Sequence, residues 1–156
     1  MEIERKFLVD SSKWKPADEG TRISQAYLGL DPSPTVRIRI AGDKAYITIK
    51  GRSKSISRPE FEYEIPVDDA IELQKLAISE PVEKTRYKIW YKDFLWEVDI
   101  FEGKNKGLIM AEIELDSEDQ VFERPEWILQ EVSADRRYYN SYLSEHPFSE
   151  WKNDLA

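Results

Sequence analysis

The sequence predicts a mainly β (α+β) fold, with about eight antiparallel strands forming a barrel or a sandwich and a few helices beside them. Three observations carry this expectation. Apolar and polar residues alternate with period two in segment after segment. Clusters of Gly, Pro, Asp and Ser punctuate those segments. Nearly every alternating segment also carries a doublet of like charges at i, i+2, hence on one face.

EIERKFLV (residues 2–9) reads as the first strand, with Glu2, Glu4 and Lys6 on one face and Ile3, Arg5 and Phe7 on the other. TRISQAYLGL (21–30) is the second and ends at a turn, DPSP. TVRIRIAG (35–42) and KAYITIKG (44–51) follow, joined near Gly42-Asp43, a hairpin signal. RPEFEYEIPV (58–67) is the fifth. VDDAIELQKLA (67–77) reads as a helix, with Asp68 or Asp69 as N-cap and Ile71, Leu73, Leu76 and Ala77 apolar. KTRYKIWY (84–91), LWEVDIFEG (95–103) and LIMAEIELD (108–116) complete the strands. A short helix is expected in SEDQVF (117–122) or PEWIL (125–129), and a longer one over SADRRYYNSYLSE (133–145), capped by Ser133. The tail SEWKNDLA (149–156) reads as loosely attached.

A chain of 156 residues fits one domain (1–156, with a core over 2–143 and a tail over 144–156) and can bury roughly 68–70% of its unfolded surface. The absence of cysteine removes disulfides, thiolate metal sites and cysteine nucleophiles. Together with the lack of an apolar run after Met1, it fits a reducing, cytoplasmic setting. No stretch approaches the ~20 apolar residues of a membrane span. A net charge of -8 disfavours long nucleic acid and anionic membranes as partners. Charged residues make up 35% of the chain, yet five Trp, eight Tyr and six Phe argue for a packed fold.

The placement of the charges is therefore the central question. Arg37 and Arg39 share a face, as do Glu60, Glu62 and Glu64, Lys84 and Arg86, Glu97 and Asp99, and Glu112 and Glu114; Lys50 lies on a face with Tyr46 and Thr48. An alternating charged face is ordinarily the wet side of an antiparallel sheet. Like charges at i, i+2 repel, however, and here they recur on most strands. A barrel with its charged faces turned inward explains the pattern, because acidic and basic doublets of different strands then offset one another. Buried unpaired charge is costly, so such an interior is wet and suited to ions. Clustered Arg and Lys suit phosphate. Clustered carboxylates, without Cys and with a single His, suit a hard cation such as Mg²⁺ or Mn²⁺.

These motifs resemble the CYTH domain, or triphosphate tunnel metalloenzyme, family. EIERKF matches its ExExK signature, and QAY, RIR, TIK, RPEFE, EKTRY, EVD and EIE follow in the family's order. SADRRYYNSYL resembles its C-terminal helix, so the likeness spans roughly residues 2–143. The resemblance implies an eight-stranded antiparallel β-barrel forming a tunnel, with helices packed outside. It implies divalent-metal-dependent cleavage of a triphosphate phosphoanhydride, with Mg²⁺ or Mn²⁺ as cofactor and a small anionic triphosphate as partner. The short chain is most similar to small bacterial members that hydrolyse inorganic tripolyphosphate to diphosphate and phosphate. By the same resemblance, Glu2, Glu4 and Glu114 are primary metal ligands. Glu112, Asp99 and Glu62 hold a second ion or orient water, and Glu60 belongs to the same acidic set. Lys6, Arg37, Arg39, Lys50, Lys84 and Arg86 bind phosphate. Tyr27, Lys84, Glu62 and Asp99 are the catalytic candidates, Tyr27 as a proton acceptor. Alternatives in the same tunnel are a nucleoside or thiamine triphosphatase and an adenylate cyclase. A non-catalytic polyphosphate- or nucleotide-binding module is a further alternative.

Other features read as structural. His146, the single histidine, lies near the tail and is expected at the surface or in packing, which disfavours a Ser–His triad. KGRSKS (50–55) reads as a solvated hairpin loop that can draw polyanions to the tunnel mouth. Trp90, Tyr91, Phe94 and Trp96 are expected to cover the outside of the barrel, and Tyr138, Tyr139 and Tyr142 to pack from the late helix, from which one can reach the site.

Overall fold

The computed structural model describes residues 1–30, 34–52 and 55–153. Among these residues ten strands form one antiparallel sheet: β1 (Glu2–Val9), β2 (Thr21–Gly29), β3 (Thr35–Ala41), β4 (Lys44–Lys50), β5 (Ser57–Arg58), β6 (Glu60–Ile65), β7 (Val82–Tyr91), β8 (Phe94–Phe101), β9 (Ile109–Glu114) and β10 (Ile128–Glu131). The ladder runs β10-β1-β9-β8-β7-β2-β3-β4-β6. The two-residue β5 then returns to β1, pairing Arg58 with Glu2 and Ser57 with Ile3. The sheet thus curls until its far end meets its beginning, and the closing ladder is short.

The eight expected strands are all present, and two more appear. Pro59 splits the expected fifth strand, because proline has no N–H for the ladder. β5 on one side of it pairs with β1, and β6 on the other pairs with β4. β10 arises where PEWIL was expected to be helical, since Phe7 and Val9 offer it a free backbone edge. SEDQVF holds no helix. The β3–β4 hairpin turns at Gly42-Asp43 as expected, with Gly42 at φ 60°, the first loop position that calls for glycine. The DPSP turn falls largely outside the described residues, as do Ser53 and Lys54 of the basic run.

α1 (Val67–Gln74) lies over the outer face of β3 and β4. Its N-cap is Pro66, so Asp68 and Asp69 lie in the first turn and complement the helix dipole instead of capping it. The expected 133–145 helix is a 3-10 turn (Arg136–Tyr138) followed by α2 (Asn140–Glu145). Asp135 caps the turn by accepting from Arg137 N, while Ser133 Oγ accepts from Lys6 N at 2.9 Å. The tail is not loose through residue 151. Phe148–Asn153 forms a further 3-10 helix, and Trp151 is buried, edge-on to Tyr138 and Phe148.

Two apolar clusters fix the site. Outside the barrel, Phe7, Trp96, Val98, Ala111 and Ile113 pack beneath Trp14 and Trp127, with Tyr91 and Phe94 at the margin. Trp90 departs from this expectation. It shares the face of Lys84, Arg86 and Lys88 and stands 73% exposed beyond them. On β6, Phe61 and Tyr63 face outward but remain exposed. The second cluster lies at one end of the interior. Leu8, Val82, Phe101 and Met110 occupy the same strand faces as Lys6, Lys84, Asp99 and Glu112, each two residues away. Leu143, Trp151 and Tyr138 pack on them, so the C-terminal segment stoppers that end of the barrel.

Candidate active site

The inward strand faces enclose a cavity of about 290 Å³. Its lining unites Glu2, Glu4 and Lys6 from β1 with Glu112 and Glu114 from β9. Tyr27 of β2, Arg37 and Arg39 of β3, and Lys50 of β4 also face it. Glu60 and Glu62 of β6, with Lys84 and Arg86 of β7, complete the expected set. Asp99 alone of the candidates does not line the cavity. It is 1% exposed, with both carboxylate oxygens engaged behind the wall.

The two signs of charge are concentrated on different walls. β1 and β9 form a carboxylate arc. Glu4 and Glu114 are register partners, and Glu2 stands two residues along on the same face. Lys50 Nζ contacts Glu2 at 2.9 Å, and Lys6 Nζ lies 3.5 Å from Glu4 and 3.3 Å from Glu112. Burial raises the Glu2 and Glu4 carboxyls above their ordinary range, with Glu112 adding at Glu4. Glu114, at the rim, is raised by partial desolvation and by Glu2 and Glu4. Glu112 behaves oppositely. Burial opposes its ionisation, but Lys6 and Arg86 hold it well below the usual carboxylate range.

The cation arc comes from β3 and β7. Arg86 grips Asp99 with two parallel hydrogen bonds, 2.8 and 2.9 Å, and Lys84 Nζ meets the same carboxylate at 2.7 Å. Arg86 also reaches Glu97 at 3.4 Å and Glu112 at 3.7 Å. Burial pulls Lys84 down to about 7, Asp99 opposing and Arg86 and Arg39 reinforcing. Arg37 is tied through Thr48 to Glu62: its guanidinium donates to Thr48 Oγ1 at 3.2 Å, and that hydroxyl donates to Glu62 at 2.9 Å. Arg37 Nε is buried with no hydrogen bond among the described residues. Arg39 makes no ion pair among them either. Its Nε donates to Gln25 Oε1 at 3.0 Å, and burial with repulsion from Arg37 and Arg86 lowers it to about 9. A half-buried guanidinium crowded by two others calls for an anion.

Sequence reasoning missed the neutral polar residues. Gln25 donates to Tyr27 Oη and to Asn140 Oδ1, both at 3.1 Å, and Lys84 donates to Asn140 Oδ1 at 3.0 Å. Thr48, expected on the charged face but given no role, and Arg58, which lines the cavity, belong to the site as well. Gln25 and Thr48 did carry a signal, since each is polar at a position whose parity faces the charged interior. Asn140 carried none, because it comes from the C-terminal segment. Of the late tyrosines, Tyr139 lines the cavity, while Tyr138 and Tyr142 pack in the stopper. His146 stacks on Tyr142 at the surface, 4.5 Å between ring centroids, as expected.

The arrangement suits a compact polyanion together with a hard cation. The donors near the carboxylate arc are oxygens alone, the set that Mg²⁺ and Mn²⁺ prefer. Among the described residues no three carboxylates are yet gathered to metal-ligand spacing. Glu2, Glu4 and Glu114 nevertheless share one sheet face on adjacent strands, and burial raises their carboxyls despite the Lys50 and Lys6 ammoniums nearby.

Known proteins share this construction. A curated inorganic triphosphatase of Acetivibrio thermocellus is 47% identical over 152 residues, covering 97% of each chain. One of Nitrosomonas europaea is 36% identical over 150 residues, covering 92% of this chain and 96% of its own. A crystal structure described as an inorganic triphosphatase superposes with a TM-score of 0.66 at 34% identity, covering 92% of this chain and 94% of that one. The sequence model of the CYTH domain matches residues 1–144, from the ExExK strand into α2, and the chain belongs to the CYTH domain family.

Proposed function

We propose that this chain is a metal-dependent inorganic triphosphatase that cleaves the terminal phosphoanhydride of tripolyphosphate to diphosphate and phosphate. The observation that carries the reading is a small cavity walled by carboxylates on one side and by cations on the other, with Arg39 half-buried and making no ion pair among the described residues. The relatives named above support it, and triphosphatases of this family are metal-dependent in general. The cavity lies at the small end of ligand pockets, roughly 300 Å³ and upward, and offers little apolar wall for an organic group.

Glu2, Glu4 and Glu114 would hold Mg²⁺ or Mn²⁺, with Glu60, Glu62 and Glu112 nearby. Such an ion neutralises phosphate oxygens and favours ionisation of water. Arg37, Arg39, Lys6, Lys50 and Arg86 bind the phosphates and stabilise charge on the terminal group and the leaving diphosphate, the chief requirement of phosphoryl transfer. Asp99 acts behind them by holding Arg86 and Lys84 in place. Lys84, brought to about 7, suits proton transfer from the attacking water, with Tyr27 linked to it through Gln25 and Asn140.

Phosphate release from tripolyphosphate with Mg²⁺ or Mn²⁺, with ATP run beside it, tests the proposal. Arg39→Ala is expected to lower kcat/KM by about 10²–10³, the size of other electrostatic losses at active sites. Unchanged kcat and KM would remove Arg39 from the mechanism. A parent protein that binds tripolyphosphate without turnover would make it a binding module, and cyclic nucleotide from ATP would make it a cyclase.

A further inference from the structure

The stoppered end of the cavity is built by two parts of the chain far apart in sequence, and their meeting point is a pair of neutral amides. Asn140 projects from the start of α2 and is 8% exposed; Gln25 projects from β2 and is fully buried. Asn140 Oδ1 accepts two hydrogen bonds, one from Lys84 and one from Gln25. The Gln25 amide in turn accepts from Arg39 and donates to Tyr27. One chain of side-chain hydrogen bonds therefore joins two substrate-facing cations, a phenol and the C-terminal segment.

Neutral groups are the right chemistry for this position. A carboxylate there would neutralise Lys84 and Arg39 and repel a polyanion. An apolar residue would leave the buried ammonium of Lys84 held from the Asp99 side alone among the described residues. An amide oxygen orients the cations while leaving their charge available. The segment that supplies it is anchored independently: Val132 N donates to Lys6 O at 2.8 Å, Lys6 N donates to Ser133 Oγ at 2.9 Å, and Leu143 is buried in the stopper.

We propose that Asn140 is a positioning residue for triphosphate binding: with Gln25, it orders Lys84 and Arg39 and so couples docking of the C-terminal segment to assembly of the phosphate site. The inference rests on the triphosphatase reading for its ligand. Loss of the amide pair leaves every charge in the cavity but lets the cations wander, so the loss falls on affinity. Simple loosening of the C-terminal segment would instead lower the active fraction, reducing kcat at unchanged KM.

The test is a double-mutant cycle of Asn140→Ala and Gln25→Ala, with Leu143→Ala as the packing control. KM and kcat for tripolyphosphate with Mg²⁺, and the Kd of tripolyphosphate by calorimetry, are measured on each folded protein. Asn140→Ala is expected to raise KM and Kd about tenfold, the lower end of what a hydrogen bond to a charged group supplies. The double variant is expected to lose no more than the worse single one, because both act through one pair. Leu143→Ala is expected to lower Tm and leave KM as in the parent. KM and Kd within twofold of the parent for Asn140→Ala would overturn the proposal, as would losses that multiply in the double variant. A parent that binds without turnover refutes the hydrolase reading and leaves the cycle legible through Kd; a parent that neither binds nor turns over refutes both.

Discussion

Asp99→Asn isolates the electrostatic support of the site. Asp99 and Lys84 are each 1% exposed, and Arg86 is 9% exposed. The wild-type carboxylate serves both cations at 2.7–2.9 Å. Once its charge is removed, Arg86 still has Glu97 at 3.4 Å and Glu112 at 3.7 Å, but Lys84 is left, among the described residues, with a hydrogen bond to the neutral Asn140 and no ion pair. Breaking a buried pair from one side costs about 3–5 kcal/mol. For a chain of this size each kcal/mol moves Tm by about 2–4 °C, so the expected fall is about 6–20 °C. The pH dependence follows from both partners. Asp99 titrates below its ordinary value, so its contribution is present above the unfolded carboxyl pKa and is lost as pH falls through the folded one. Lys84 is already drawn down to about 7 with Asp99 beside it and is drawn lower once that carboxylate is gone, so the stranded charge is relieved as pH rises through that lower value. Urea denaturation at pH 3, pH 6 and pH 8.5, followed by tryptophan fluorescence, reads both effects. A change under about 1 kcal/mol at pH 6 would refute the claim that Asp99 holds these cations.

Two further predictions concern the stopper and the carboxylate arc. Trp151→Ala removes a buried indole and is expected to destabilise by about 3–5 kcal/mol in urea, whereas an unattached tail would show no change. Glu2, Glu4 and Glu114 have raised carboxyls, so the native state binds more protons than the unfolded chain above their ordinary pKa, and stability falls as pH rises through that window. Mg²⁺ or Mn²⁺ relieves this, so the cation is expected to raise Tm more at pH 8 than at pH 4.5; an equal gain at both, or none at either, counts against a cation held by these residues.

Much of the fold and site is legible in the sequence because strand parity is local. Successive side chains alternate across the backbone whatever their neighbours do. Glu2, Glu4 and Lys6, or Arg37 and Arg39, therefore announce a common face before any partner strand is known. The same rule misplaced nothing on the charged faces, but Trp90 was assigned to the outside by residue type when its parity with Lys84 and Arg86 put it on the other face. The late helix failed differently. Its sequence shows helical spacing, but the chain bends at Tyr139 to send Asn140 into the barrel.

Sequence alone divides each strand into a charged and an apolar face, and with that division comes the chemistry of the interior. Which charges meet is a matter of the assembled sheet: Asp99 serves Arg86 and Lys84 behind the wall, Arg39 makes no ion pair among the described residues, and Asn140 reaches Lys84. The difference is one of range. A face is set by backbone geometry within a few residues, whereas these contacts depend on register across the sheet and on a segment returning from 56 to 115 positions away.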